Sequence, residues 1–491
     1  MLPCGETSSC ERAAGAPRAS TLRYGPAVDI ASAAALADER LAAARAEADI
    51  PAIAYGLLLG GSLVHQGAVT ASESDGPTSA SSFRIASMTK SFTATAILIL
   101  RDRGALDLDD ALVRWLPWSA SIGLPAGSPT LCIRHLLTMT AGFPTDDPWG
   151  DRQEPLPVAD FDRLVSEGLS FCRPPGIHFE YSNLGYALLG RVITQVTGLD
   201  YRDAVRSLVL EPLGMTSTTY DVERAPSRMT GYRRVEAGLV EQPETVSGAF
   251  SPMGGLWSSV DDLARWVAFH EAAWADDPAD GPLDRWSRRE MQRPHILARA
   301  EEGAAHSYGM GVYVTDDVTR GRFIHHSGGY PGFGSHMRWH PDTRWAIIAL
   351  ANRTYAPMGK VAAEILNDIV DDEVSGARRD RERAALWPAT VAAMDVAESL
   401  LARWDDGRAD AQVAMNVDLD QPRDERRRLW QALAADRGPF LRDDRSVRSS
   451  SPAHARWRMH GVSGDVWLEV LMSPEREPRI QTLLAQPADE G

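Results

Sequence analysis

Two groups of short apolar runs, one near residue 50 and one ending near residue 350, bracket a long helical middle, and that spacing constrains the fold of this chain most. Ala52 to Leu59 and Ser62 to Val69 are joined by Gly60-Gly61, the pattern of a hairpin with a tight turn. Strand patterns return at Tyr308 to Val314, Arg322 to His325, Ser335 to His340 and Trp345 to Ala351. Between them the chain reads as helix and loop, with segments at Leu131 to Thr138, Phe161 to Glu167, Gly185 to Val196, Tyr201 to Val209 and Ser259 to Glu271. Strands from both ends with helices between predict an α+β fold. One antiparallel sheet is assembled from the two ends, flanked by helices and accompanied by a helical subdomain.

The rest of the chain is arranged around that unit. Residues 1–25, rich in Gly, Ser, Ala and Pro without a period, are expected to form a flexible N-terminal arm. A main domain over 26–375 opens with an Ala-rich helix from about Ile30 to Ala48 and closes with one from about Val361 to Val370. The charge-dense stretch Gly376 to Arg383 marks a linker, 376–386. Residues 387–491 carry helices near Val391 to Arg403 and Arg423 to Ala434. Strand-like runs follow at Ala455 to His460, Val466 to Met472 and Arg479 to Leu484, which together make a small C-terminal α+β accessory module. In Arg423-Asp424-Glu425-Arg426-Arg427-Arg428 two carboxylates sit among the arginines, so this run reads as a solvated helix face rather than an anion site.

Composition narrows the partners. A formal net charge of −16 argues against nucleic acid or an anionic membrane surface, both of which need a cationic face. No apolar run approaches the roughly 20 residues needed to span a bilayer. Cys4, Cys10, Cys132 and Cys172 show no metal-ligand spacing, so neither a metal nor another cofactor is expected, and a disulfide framework is unexpected at this size. With no basic start and apolar segment ahead of Cys4, a cytoplasmic location is the default expectation. A small neutral or amphiphilic substrate fits this profile best.

The 51 basic residues include two lysines, Lys90 and Lys360. Lys90 follows Ser87 by three residues in Phe83-Arg84-Ile85-Ala86-Ser87-Met88-Thr89-Lys90, at the start of an apolar helix expected to end at Gly104. Arginine stays protonated in proteins, whereas a desolvated lysine can lose its charge and take a proton from a nearby hydroxyl. One helical turn brings Lys90 to the same side as Ser87. A serine at a helix start followed by a solvated lysine accounts for the same letters without chemistry.

Two further motifs carry candidate chemistry. Glu180-Tyr181-Ser182-Asn183 lies between the turn Pro174-Pro175-Gly176 and a helix, where Tyr181 can relay a proton and the Asn183 amide can hold a carbonyl. Tyr181 as core and Asn183 as helix N-cap is the plainer alternative. His325-His326-Ser327-Gly328-Gly329-Tyr330-Pro331-Gly332-Phe333-Gly334 follows a strand, and its glycines let backbone N–H groups approach a ligand. A glycine-rich turn with a hydrogen-bonded histidine reads equally well. Adjacent histidines on a strand point to opposite faces, which argues against a metal pair.

In this order, Ser-x-x-Lys, Tyr-x-Asn and His-Ser-Gly resemble the serine hydrolases of the β-lactamase and DD-peptidase superfamily, closest to class C β-lactamases, D-aminopeptidases and family VIII-type esterases. The resemblance covers roughly residues 30 to 372 and includes the scaffold-like segments Leu131 to Phe143 and Met253 to Leu263. It implies Ser87 as nucleophile, Lys90 as base or proton shuttle, Tyr181 as partner base and acid, and Asn183 as substrate contact. His326 would occupy the place of the lysine in a Lys-Thr-Gly triad, with Gly328 and Gly329 against the substrate and the Ser87 and Gly329 N–H groups as oxyanion hole. Asn352 resembles a substrate-side residue of the class C enzymes, although a strand-end turn explains it as well.

The histidine departs from true β-lactamases. A largely neutral imidazole holds a carboxylate less well than an ammonium does, so esters, amides or D-amino-acid peptides gain over classical β-lactams. The expected function is therefore a serine hydrolase working through an acyl-enzyme on an ester, amide or peptide. β-Lactamase or DD-carboxypeptidase activity, acyl transfer and a non-catalytic acylated sensor are the alternatives.

Overall fold

A computed structural model describes residues 28–71, 76–275, 281–384 and 386–488. The expected arm, residues 1–25, lies outside the described residues. The chain divides into two compact units, Met1–Glu373 and Val374–Gly491.

The first unit is built on an eight-stranded antiparallel sheet. Its order is Ser62–Thr70, Ala52–Leu59, Trp345–Ala351, Phe333–Trp339, Gly321–Tyr330, Tyr313–Asp317, Ala304–Tyr308 and Ile296–Glu301. The two ends of the unit meet where Ile53 pairs with Ala351 and Leu59 with Trp345. Trp345–Ala351 and Phe333–Trp339 are buried at every position, as strands covered on both faces must be. Successive residues point to opposite faces, and Tyr55 and Gly56 show what covers each. Tyr55 Oη donates to Asp38 on helix Ile30–Glu47, while a Cβ on Gly56 would meet Val260 at the start of helix Val260–Glu271.

The helical subdomain includes Ile133–Leu137, Val158–Ser166, Asn183–Thr197 and Tyr201–Val205. At the centre runs Thr89–Asp102, buried from Thr89 through Leu100, with Phe92 stacked on Trp266 at 3.8 Å. A helix apolar on all sides belongs in a core, which makes the lysine in its first turn costly unless partnered.

Three sequence expectations need correction. The single strand expected at Tyr308 to Val314 is a hairpin, Ala304–Tyr308 and Tyr313–Asp317, turned at Gly311 with φ 76°. Beyond it Ile296–Glu301 adds an edge strand whose Ala, Arg and Glu residues carry no strand signature. The closing helix runs Met358–Ala384, well past Val370, so most of the expected linker 376–386 is helical backbone, as its Ala, Arg and Glu content permits.

The second unit has helices Pro388–Ala402, Asp406–Gln412, Met415–Asp420 and Arg423–Arg437, and an antiparallel meander, Phe440–Arg448, His454–Gly461, Val466–Met472 and Ile480–Pro487. Alternate burial along Val466–Met472 turns Val466, Leu468 and Val470 into a core shared with Leu400, Leu401, Trp430 and Trp457. The Arg423–Arg428 run is not wholly solvated. Arg426 is buried, donating to Asp418 and to the carbonyls of Val417 and Gln421, and Arg423 pairs with Asp410 and Asp418.

Candidate active site

Phe83–Arg84 pairs with Trp257–Ser258 and delivers the chain into the 3-10 turn Ala86–Met88, which continues as the central helix. The turn is strained. Ala86, directly before Ser87, has φ 48°, a left-handed conformation costly for a residue with a Cβ. Ile85 N bonds Leu256 O at 3.0 Å, and the Ser335 hydroxyl donates to Ile85 O at 2.8 Å, so both sides of the turn are pinned.

Ser87 is 9% exposed and Lys90 is fully buried. Lys90 Nζ lies 2.9 Å from Ser87 Oγ, 2.7 Å from Asn183 Oδ1 and 2.8 Å from Met253 O. Burial lowers the Lys90 pKa to about 8, against the opposing pull of Asp151, Asp146 and Asp147. The ammonium therefore has its three donors satisfied by neutral oxygens and remains within reach of deprotonation near neutral pH.

The Tyr181 ring centre lies 4.9 Å from Lys90 Nζ, beside Ser87. Burial, reinforced by Tyr313, holds its phenol well above the usual tyrosine range. This favours the neutral hydroxyl, the form that can donate a proton.

Asn183 is the first residue of its helix rather than its cap. Ser182 takes the cap, accepting from Gly185 N at 3.0 Å, while Asp146 accepts from Asn183 N at 2.7 Å and Leu184 N at 2.8 Å. With Asn183 Oδ1 turned to Lys90, its buried Nδ2 has no partner among the described residues.

His326, Gly328 and Gly329 lie on Gly321–Tyr330. Pairing with Tyr313–Asp317 ends at His325, whereas pairing with Phe333–Trp339 continues to Tyr330. The Ser87 turn packs on this part of the strand. A Cβ on Gly328 would fall 2.1 Å from Ile85 O, so only glycine permits the contact.

His326 Nδ1 donates to Ser327 O at 2.6 Å, and Nε2 faces Tyr308 Oη at 3.4 Å. Burial, with the Lys90 charge adding to it, lowers the His326 pKa to about 3. The imidazole is neutral and stands 6.5 Å from the Tyr181 ring, centroid to centroid.

Asn352 has no hydrogen bond to Ser87, Lys90 or Asn183 among the described residues. Its Oδ1 accepts from Ala52 N at 2.7 Å and its Nδ2 donates to Thr230 O at 2.9 Å, so its amide braces the strand end. This is the bracing role that its place at a strand end also offered. Among the described residues there is no group of three or more His, Cys, Asp or Glu placed to hold a metal, and no helix long and apolar enough to cross a membrane.

Sequence reasoning missed four contributors: the Met253 carbonyl, Asp146, Asp151 and Tyr355. A backbone carbonyl has no side-chain signature, although Gly254-Gly255 beside Met253 hinted at close packing. Asp151 is buried, its pKa raised to about 6 by desolvation and then Asp147, and it accepts from Tyr355 Oη at 2.9 Å.

Known proteins resemble this chain in sequence and in fold. A penicillin-binding protein of Bacillus subtilis (strain 168) is 30% identical over 294 residues, 55% of this chain and 60% of the relative. Protein flp of Staphylococcus aureus (strain COL) is 28% identical over 295 residues, 59% of this chain and 56% of the relative. The chain thus spans little more than half the length of these relatives. Among solved structures, an octameric penicillin-binding protein homologue from Pyrococcus abyssi superposes with a TM-score of 0.61 at 20% identity, covering 93% of this chain and 95% of that one. EstCE1, a hydrolase with promiscuous acyltransferase activity, gives 0.56 at 21% identity, covering 69% and 99%. Both share the fold. Residues 37–371 match the Beta-lactamase family model, so the chain belongs to the Beta-lactamase family.

Proposed function

We propose that this chain is a serine hydrolase that cleaves ester or amide bonds through an acyl-enzyme on Ser87, with Lys90 as the base. The observation that carries this reading is the 2.9 Å contact between Lys90 Nζ and Ser87 Oγ, made by a buried lysine whose pKa is lowered to about 8. The neutral amine takes the Ser87 proton as Oγ attacks the carbonyl carbon. The resulting oxyanion lies against the Ser87 and Gly329 N–H groups, where the pinned turn and the close approach of Gly328 bring strand and helix start together. The proton on Lys90 passes through Tyr181 to the leaving group as the C–O or C–N bond breaks. In the second half water attacks the ester, its proton goes to Lys90, and Lys90 returns a proton to Ser87 Oγ as it departs.

Two features favour substrates without a carboxylate at this point. His326 is neutral, and the carboxylates of Asp151 and Asp146 bear on the same site. Penicillin-like substrates need a cation there. Short aryl esters, and amides bearing no nearby carboxylate, are therefore the expected substrate class.

The test compares p-nitrophenyl acetate, a D-amino-acid p-nitroanilide and nitrocefin on wild type and Ser87→Ala. Turnover of the ester or amide that vanishes in Ser87→Ala supports the reading, and full turnover in the variant overturns it. A persistent adduct on Ser87 without turnover would instead favour an acylated sensor.

A further inference from the structure

A closed ring of contacts surrounds Ser87, and one of its members, Tyr355, has no part in the chemistry above. Lys90 bonds Asn183, and Gly150 packs so closely on Asn183 that a Cβ on the glycine would lie 2.5 Å from that of the asparagine. The next residue, Asp151, accepts from Tyr355 Oη at 2.9 Å. The Tyr355 ring in turn rests on Gly329, where a Cβ would lie 2.5 Å from Tyr355 Cδ1. Gly328 against Ile85 returns the ring to the nucleophile turn.

Tyr355 is held there at a cost. Its φ is 50°, a conformation a tyrosine rarely adopts, and 42% of it is exposed. Its flanks are tied down. Tyr355 N bonds Phe333 O at 3.1 Å, Thr354 N bonds Tyr232 O at 2.8 Å, and Gly332 N bonds Thr354 Oγ1 at 2.7 Å. A strained, half-exposed aromatic fastened at both ends is a fixed wall rather than a mobile flap.

The position of the wall relative to the proton donor gives it a side. Tyr181 adjoins His326, at one end of the strand segment beside Ser87, whereas Tyr355 adjoins Gly329, three residues along. A leaving group protonated through Tyr181 departs at the His326 end, so the acyl portion extends towards Gly329 and meets the Tyr355 ring.

We propose that Tyr355, locked by its hydrogen bond to Asp151, determines acyl specificity by restricting the site to short acyl groups. This rests on the acyl-enzyme reading above. It assigns Tyr355 to specificity and Asp151 to positioning it, with no part for either in the bond-making steps.

The experiment measures kcat/KM for p-nitrophenyl acetate, butyrate and octanoate on wild type, Tyr355→Phe and Tyr355→Gly, with melting temperatures and Ser87 labelling by a fluorophosphonate. Wild type should favour acetate over octanoate by about tenfold or more, within the range a few methylenes give in an apolar site. Tyr355→Gly, which removes the ring and accepts the positive φ, should lower that ratio about tenfold or more. Tyr355→Phe, which keeps the ring and loses the bond, should fall between. An unchanged ratio in either folded, Ser87-labelled variant overturns the proposal, and a higher melting temperature for Tyr355→Gly with no change in ratio would mean that Tyr355 is merely a strained residue. If wild type itself is neither labelled at Ser87 nor active on acetate, the acyl-enzyme reading fails first, and this proposal falls with it.

Discussion

Lys90 Nζ lies 2.9 Å from Ser87 Oγ, and its other two partners, Asn183 Oδ1 and Met253 O, are neutral. A lysine whose hydrogen-bond partners include a carboxylate would be locked in its charged form. Here burial works in the other direction, and the nearest carboxylates act only at a distance.

Replacing Lys90 by arginine keeps a charge and removes the base. Lys90→Arg should reduce kcat/KM for p-nitrophenyl acetate about 100-fold or more while the protein remains folded by circular dichroism. Wild-type rates in this variant would show that Lys90 only fills space.

The pH dependence follows from the direction of the Lys90 shift. The amine is the active form and its pKa is lowered from 10.5 to about 8, so kcat/KM should rise about tenfold per pH unit below 8 and level off above it. A profile flat from pH 6 to 9 would contradict this.

Asn183→Asp sets a carboxylate in place of a neutral acceptor 2.7 Å from Lys90 Nζ. An opposite charge at that distance favours the ammonium, so the rising limb should move to higher pH by about one unit or more, with lower activity at pH 7. An unshifted limb would place Lys90 outside the titration that controls activity.

Arg84 and Glu154 form a buried ion pair beneath the Ser87 turn, with the Arg84 guanidinium 4.2 Å from the centre of the Tyr330 ring. Removing one partner leaves a buried charge alone. Glu154→Gln should cost about 3 to 5 kcal/mol in chemical denaturation, and a loss under 1 kcal/mol would mean that water reaches the pair.

Much of this was legible in the sequence because it is periodic or carried by side chains. The hairpin at Gly60-Gly61, the paired end strands, the helix after Ser87 and the helix that follows Tyr181 all lie close to where their patterns put them. The missing parts had no such trace. Met253 contributes a carbonyl, Asp146 an anchor for a helix some forty residues further on, and Tyr355 a wall whose meaning depends on the bare backbone of Gly329. Asn352 is ambiguous in the opposite way, since an asparagine that braces a strand end has the same letter as one that holds substrate. The edge strand Ile296–Glu301 escaped because alanine, arginine and glutamate favour helix until a neighbouring strand supplies their hydrogen bonds.

The central claim is that Ser87 is a nucleophile activated by Lys90, and peptide mapping after reaction with a fluorophosphonate tests it most directly. A single adduct should appear on Ser87 in the wild type, form more slowly in Lys90→Arg and be absent from Ser87→Ala. An adduct on another residue, or equal labelling in Ser87→Ala, would contradict the account.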